Sequence, residues 1–231
     1  MTANRLKPTA IADQAAEANA EESTRRGREW WRLTARLLRA PREVFVALRS
    51  TDDVDLDARA EPITAIAILA GMAAVFLSPR WGRLLDDSAI DELVVAVLTF
   101  IAGCFYGAAG VFLLGLFAWL GARGAGADPP FRLARHLVAF SALPFALSIL
   151  VNLPLALVWF GADWFHEGGA DSGGGRWVVT GIGLAAAAWS AGLLATGLRV
   201  TFRLSWFGVV TALALAGVIV AGLAVLPSAL R

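Results

Sequence analysis

The chain has one cysteine and one tyrosine among 231 residues, and Lys7 is its sole lysine. With Cys104 alone, no intrachain disulfide can form; its place in an apolar run makes it a small packing residue. Charge is missing where it would matter most for chemistry. Beyond Glu61, every Asp, Glu and Arg lies between long apolar runs and none lies within one. The runs therefore hold no paired carboxylates, no Ser, His and Asp set and no Cys and His pair, so catalysis, which needs positioned ionisable groups, is not expected. The Gly173–Gly175 stretch lacks the lysine and hydroxyl of a phosphate-binding loop, and reads as a flexible connection. The opening residues show no basic start followed by an apolar core, so a cleaved signal peptide is not expected. No internal repeat of roughly 20 to 50 residues is found, which argues against an inverted-repeat transporter.

What the chain has in quantity is apolar sequence: 58% hydrophobic against 17% charged residues, with a mean hydropathy of +0.64. A soluble domain is ordinarily about half apolar. Five runs carry the excess, at 63–78, 93–120, 137–160, 177–198 and 204–226. All but the first reach the roughly 20 residues that a bilayer requires; the first is short, so that either Pro62 and Trp81 extend it or the local bilayer thins. The expected fold is all-α: a polytopic membrane bundle of five transmembrane helices over 62–227, preceded by an amphipathic interfacial element.

That element follows a polar segment, 1–28, which offers little to bury and reads as a disordered or loosely helical tail. In 29–50, Trp30, Leu33, Leu37, Val44, Phe45 and Leu48 recur at helical spacing, while Trp31 joins Trp30 at the head and Arg32, Arg36, Arg39, Arg42 and Arg49 take other positions. Pro41 predicts two short helices meeting there. The apolar face can lie in the acyl boundary with guanidinium groups on lipid phosphates, or pack on the protein's own bundle; the dense arginine face favours the interface, with anionic headgroups as partner. Residues 51–61 read as a solvated acidic linker, since Asp52, Asp53, Asp55 and Asp57 lack the glycine and terminal glutamate of a calcium loop.

Basic residues orient the spans. Eleven precede the first run, three lie at Arg123, Arg132 and Arg135, and two at Arg199 and Arg203; Arg80, Arg83, Arg176 and Arg231 fall to the other side. This alternation predicts a cytoplasmic N-terminus and an outer C-terminus. His136 and His166 then fall in loops on opposite sides and do not share a metal. Trp119, Trp159, Trp177 and Trp206 mark run ends, whereas Trp189 lies mid-span. Small residues form stripes at Gly103, Gly107 and Gly110, at Gly181, Ala185, Ala188 and Gly192, and at Ala214, Gly217, Ala221 and Ala224. Such faces let helices approach closely, within the chain or against another copy or another membrane protein. In the third run Pro144 and Pro154, with Ser148 and Asn152, predict a kinked or discontinuous helix, and a broken helix with polar groups at mid-membrane can also form a solute site.

The stretch WRLTARLLRAPREVFVAL at 31–48, with Pro41, Glu43 and Phe45, precedes five runs; FRLARHLVAFSALPFALSIL at 131–150, with Phe131, Ala139, Ser141, Leu143 and Pro144, enters the third. Over about residues 30–226 this order resembles the Yip family of Rab-interacting, five-span membrane proteins and its bacterial relatives. The resemblance implies a cytoplasmic N-terminus and an outer C-terminus. In eukaryotes it implies binding of prenylated GTPases in vesicle trafficking, for which the tail of this chain shows no motif. The function expected is a non-enzymatic membrane scaffold or interaction protein without cofactor, metal or nucleic acid; the alternative is a small transporter with its solute path beside the broken third span.

Overall fold

The computed structural model describes residues 8–50, 53–78, 92–161, 164 and 174–229, and every regular element among them is helical. Trp81, His166 and Gly173 lie outside them. In chain order the elements are α1 (Pro8–Arg36), α2 (Pro41–Ala47), α3 (Asp53–Ala58), α4 (Ala60–Leu77), α5 (Glu92–Gly124), α6 (Phe131–Ser141), α7 (Leu143–Phe160), α8 (Gly174–Thr201) and α9 (Trp206–Ala229). Four stretches are long and apolar enough to cross a membrane: Asp55–Leu77, Val97–Gly124, Phe131–Phe160 and Gly174–Thr201. The first run thus gains length from the residues ahead of it. α9 is 24 residues long, and its apolar part with described side chains is Trp206–Gly217.

In the N-terminal third the linker departs from expectation and the tail does not. Of the two readings of the N-terminal tail, disordered or loosely helical, the helical one matches the structure from Pro8, in one helix that runs through to Arg36. The solvated linker is instead folded from Asp53 as α3, and Arg59, directly after it, is completely buried. As the sequence predicts, Pro41 starts a helix of its own, where its missing N–H costs nothing.

α4 and α5 form the tightest crossing, and three glycines set its distance. A Cβ on Gly71 would overlap the carbonyl oxygen of Gly103 and the amide nitrogen of Gly107, and one on Gly107 would overlap the carbonyl of Ala67. Backbone lies against backbone here, so no side-chain rearrangement can make room. Gly103 and Gly107 therefore pack within the chain, whereas a Cβ on Gly110 would meet nothing within 4 Å. Further along α5, Gly121 sits against Ala212 of α9 in the same manner. The opposite face of α5 looks outward, with Phe105 and Phe112 exposed. At 33 residues α5 is about 50 Å long, well beyond a hydrocarbon core of about 30 Å.

The third run is broken where the sequence places its first proline. α6 ends at Ser141, Ala142 caps it, and α7 begins at Leu143 with Pro144 in its first turn. The backbone N–H of Phe145 donates to Ser190 Oγ of α8 (3.2 Å), and the Ser148 hydroxyl donates to the Phe145 carbonyl (2.7 Å). Polar groups near the break are thus satisfied from a neighbouring helix and from within the turn, as lipid requires. Pro154 remains inside α7 and is exposed.

Substituting Gly107 by Leu should separate α4 from α5 and lower unfolding stability in detergent by about 3 kcal/mol, the upper range for overpacking. Gly110→Leu, on the open side, should unfold like the wild type. Equal thermal unfolding of the two variants would contradict the close crossing.

Candidate functional site

The sequence left the apolar face of 29–50 between bilayer and bundle, and favoured the bilayer. The structure buries it in the protein instead. Trp30 is 4% exposed, and Leu37, Val44, Phe45 and Leu48 are fully buried, in one core with Leu133, Leu137, Phe140 and Leu198 of α6 and α8. Trp30 packs its ring 5.6 Å from Phe140. Each such side chain contributes about 2 kcal/mol by leaving water. Gly197 of α8 makes room for this packing, since a Cβ there would press on Leu137 and the Phe45 ring.

Arg59 fixes the assembly. Its guanidinium donates Nη1 to the Leu48 carbonyl (3.1 Å) and Nη2 to the Ser50 carbonyl (2.8 Å), and its central carbon lies 4.4 Å from the centre of the Trp30 ring. One side chain at the head of α4 thereby ties down α1 and the end of α2. The planar fork and the flat, weakly hydrated face of arginine suit both tasks, which a lysine would do poorly. Around it, Asp55 accepts from Arg26 Nη1 and from Ser50 Oγ, both at 2.7 Å. Arg132 of α6 reaches Asp57 at 3.4 Å. The Arg49 guanidinium donates to the Val200 carbonyl through Nε (3.0 Å) and Nη2, and the Thr201 hydroxyl to the Phe45 carbonyl (3.2 Å). These contacts gather the N-terminal segment, the entry to α6 and the exit of α8 at one end of the bundle.

The outward surface of this platform is cationic. Trp31, Arg32, Arg36, Arg39 and Arg42 are exposed, and Pro41 half-buried. Of the eight residues predicted at the interface, Trp30, Leu37 and Phe45 are thus core residues, because amphipathic spacing specifies that a face is covered without specifying by what. Arg59 was missed altogether: a charge ahead of an apolar run reads as solvated.

His136, placed in a loop by sequence, lies in α6 and is 8% exposed. In the broken span Pro144, Ser148 and Asn152 are buried. Asn152 is 1% exposed, and neither its amide oxygen nor its nitrogen has a hydrogen-bond partner. The stripe on α8 faces away from the chain: Ala185 and Ala188 are exposed, and Cβ atoms on Gly181 or Gly192 would meet nothing within 4 Å. Gly183, which the stripe omitted, instead packs against Leu77. On α9, Ala214 and Gly217 are likewise exposed, while Ala221 and Ala224 lie outside the residues whose side chains are described. Mid-span Trp189 is 52% exposed, facing away from the bundle. Among the described residues no group of three or more His, Cys, Asp or Glu could hold a metal ion.

A helical bundle whose spans are apolar on their outer faces, closed at one end by a basic helical platform, is a multi-pass membrane protein. Residues 35–228 match the family model described as the Yip1 domain. The chain belongs to that family, and the match begins at the platform and takes in the helices behind it. No curated protein and no solved structure matches it.

Arg59→Met should free the carbonyls of Leu48 and Ser50 and loosen α1, at a cost of about 3 kcal/mol for hydrogen bonds to a charged donor. Limited trypsin digestion of the purified protein should then cut at Arg32, Arg36 and Arg39 much faster than in wild type. Unchanged cleavage would show that the hydrophobic contacts hold the platform unaided.

Proposed function

We propose that this protein is a non-enzymatic membrane scaffold of five spans, with its N-terminus cytoplasmic and its C-terminus outside, which presents a rigid cationic platform to anionic headgroups and to membrane partners. The observation that carries the reading is the platform itself. Its apolar side chains are committed to the core, so that Arg32, Arg36, Arg39 and Arg42 project as a fixed set. Clustered guanidinium groups beside a membrane gain about 1 kcal/mol each from an anionic leaflet. The charge pattern supports the orientation, since the basic segments 121–136 and 199–203 meet the N-terminal helices at one end of the bundle. The absence of Asp, Glu, Lys and Arg from the apolar runs speaks against catalysis within them.

Its test uses full-length protein with Cys104→Ala and single cysteines at Ser23, Arg36, Ala127 and Ser228. Ser23 and Ala127 should label only from the cytoplasmic side, and Ser228 only from outside. In reconstituted vesicles, a bulky soluble thiol reagent should reach position 36 more slowly when the lipid is anionic than when it is zwitterionic. Equal rates in the two lipids would remove the headgroup role; labelling of Ser228 from the cytoplasm would remove the fifth span.

One observation favours a second reading, a solute path beside the third span: the unpartnered buried amide of Asn152. Replacing an unsatisfied buried polar group by an apolar one is neutral or stabilising when it has only a packing role. Under the scaffold reading, Asn152→Leu should keep or raise thermal stability by about 1 kcal/mol and leave vesicle permeability unchanged. A drop in solute flux at normal expression would favour transport.

A further inference from the structure

Between α2, the end of α8 and the start of α9 lies an open cleft of about 490 Å³. Its walls carry Arg42, Arg49, Arg199 and Arg203, and no Asp or Glu. Four like charges, Arg42 and Arg199 from α2 and α8 and Arg49 and Arg203 from the segments that follow those helices, repel one another unless an anion sits among them. Among the described residues, none of the four is in an ion pair.

Their positioning is specific. Arg49 is held by its bonds to the Val200 carbonyl. Arg199 lies with its guanidinium 4.6 Å from the centre of the Trp206 ring, which orients the group while leaving its edge open. Arg203 has φ +55°, a left-handed conformation at the end of a helix where glycine is the usual residue. A side chain is kept there at a backbone cost, and Arg203 lines the same cleft.

The surroundings are apolar and outward-facing. Val46 and Trp206 on the cleft wall are 51% and 55% exposed, and Phe207 and Val210, further along α9, are 82% and 62% exposed. A ligand seated here meets charge at one end and a greasy surface running along a spanning helix at the other. Indole rings such as that of Trp206 favour the headgroup level.

We propose that this cleft is a binding site for the phosphate of an anionic phospholipid, with Arg42, Arg199 and Arg203 on the phosphate oxygens and the acyl chains lying along α9 over Phe207 and Val210. Arginine is suited to the task, since its planar fork binds phosphate in a bidentate manner. The inference deepens the headgroup reading above and rests on it for the leaflet, but it names a second, stoichiometric site away from the α1 surface.

The test is lipid binding to full-length protein in neutral detergent, followed by native mass spectrometry and thermal unfolding. The probes are phosphatidylglycerol, phosphatidylcholine and inorganic phosphate. One phosphatidylglycerol should be retained per chain in preference to phosphatidylcholine and should raise the Tm. The double variant Arg199→Gln, Arg203→Gln should bind it roughly thirtyfold more weakly, through the loss of two guanidinium contacts. Arg32→Gln, Arg36→Gln, Arg39→Gln should retain it. Arg203→Gly, which relieves the left-handed strain, should raise the Tm of the lipid-free protein while weakening lipid binding, so weaker binding in this variant does not reflect a failure to fold. Retention by the cleft variants with loss in the triple variant would overturn the cleft and leave the platform reading standing. Retention in all of them would remove both. Equal stabilisation by inorganic phosphate and by the lipid would overturn the lipid as the source.

Discussion

A guanidinium taken wholly out of water must find its hydrogen bonds inside the protein, and Arg59 finds two on the main chain of the segment that precedes it, one from each Nη, while its Nε has no partner. Its bonds to the carbonyls of Leu48 and Ser50, and its seat over Trp30, join α1, the end of α2 and the head of α4 through one buried charge. Burying such a group is costly unless it is paired, so the arrangement holds only while the core around Phe45, Leu137 and Phe140 keeps water out. Core and charge therefore depend on each other. The exposed arginines of α1 and α2 inherit their positions from this closure: with the apolar face spent inward, the cationic face has one direction left to point.

Further into the bundle the governing constraint changes from polar satisfaction to backbone proximity. Lipid chains are as apolar as leucine, so burial offers spanning helices little, and close contact must supply the attraction. At Gly71, Gly103 and Gly107 the two helices touch main chain to main chain. The break before Pro144 belongs to the same economy of contacts, since Ser190 receives the Phe145 N–H from across the α7 and α8 interface. A discontinuity in one helix thus becomes a contact between two.

The apolar runs, and the pairing of basic segments at one end, were legible in the sequence because a bilayer forbids the alternatives: charge is excluded from its core and stays where membrane insertion leaves it. The break at Pro144 was legible for a similar reason, as proline has no N–H to give. Partners were not legible. Helical spacing marked the face with Trp30, Leu37 and Phe45, but a face that fits lipid fits a protein core equally well. The stripe of Gly181, Ala185, Ala188 and Gly192 shows the same limit. Residues two apart in a helix lie on nearly opposite sides, so Gly183 meets Leu77 while Gly181 looks outward, and both patterns are of equal quality on paper. Arg59 had no sequence signal of its own, because a charged residue between acidic residues and an apolar run is ordinarily solvated.

The division between a quiet interior and a charged end bears on where function resides. A solute path through the bundle would need polar groups in succession, and the buried side chain in the broken span with both polar atoms unpartnered is the single amide of Asn152. An amide has no charge to move and no proton to relay at neutral pH, so by itself it can orient a solute but drive nothing. At the basic end, by contrast, arginines from α1, α2, α8 and the start of α6 stand on elements locked together by Arg59, Arg49 and Thr201. Rigid placement lowers the entropy lost when a ligand binds. That advantage is greatest for ligands held by several charge-assisted contacts at once, and phosphate-bearing surfaces are of that kind.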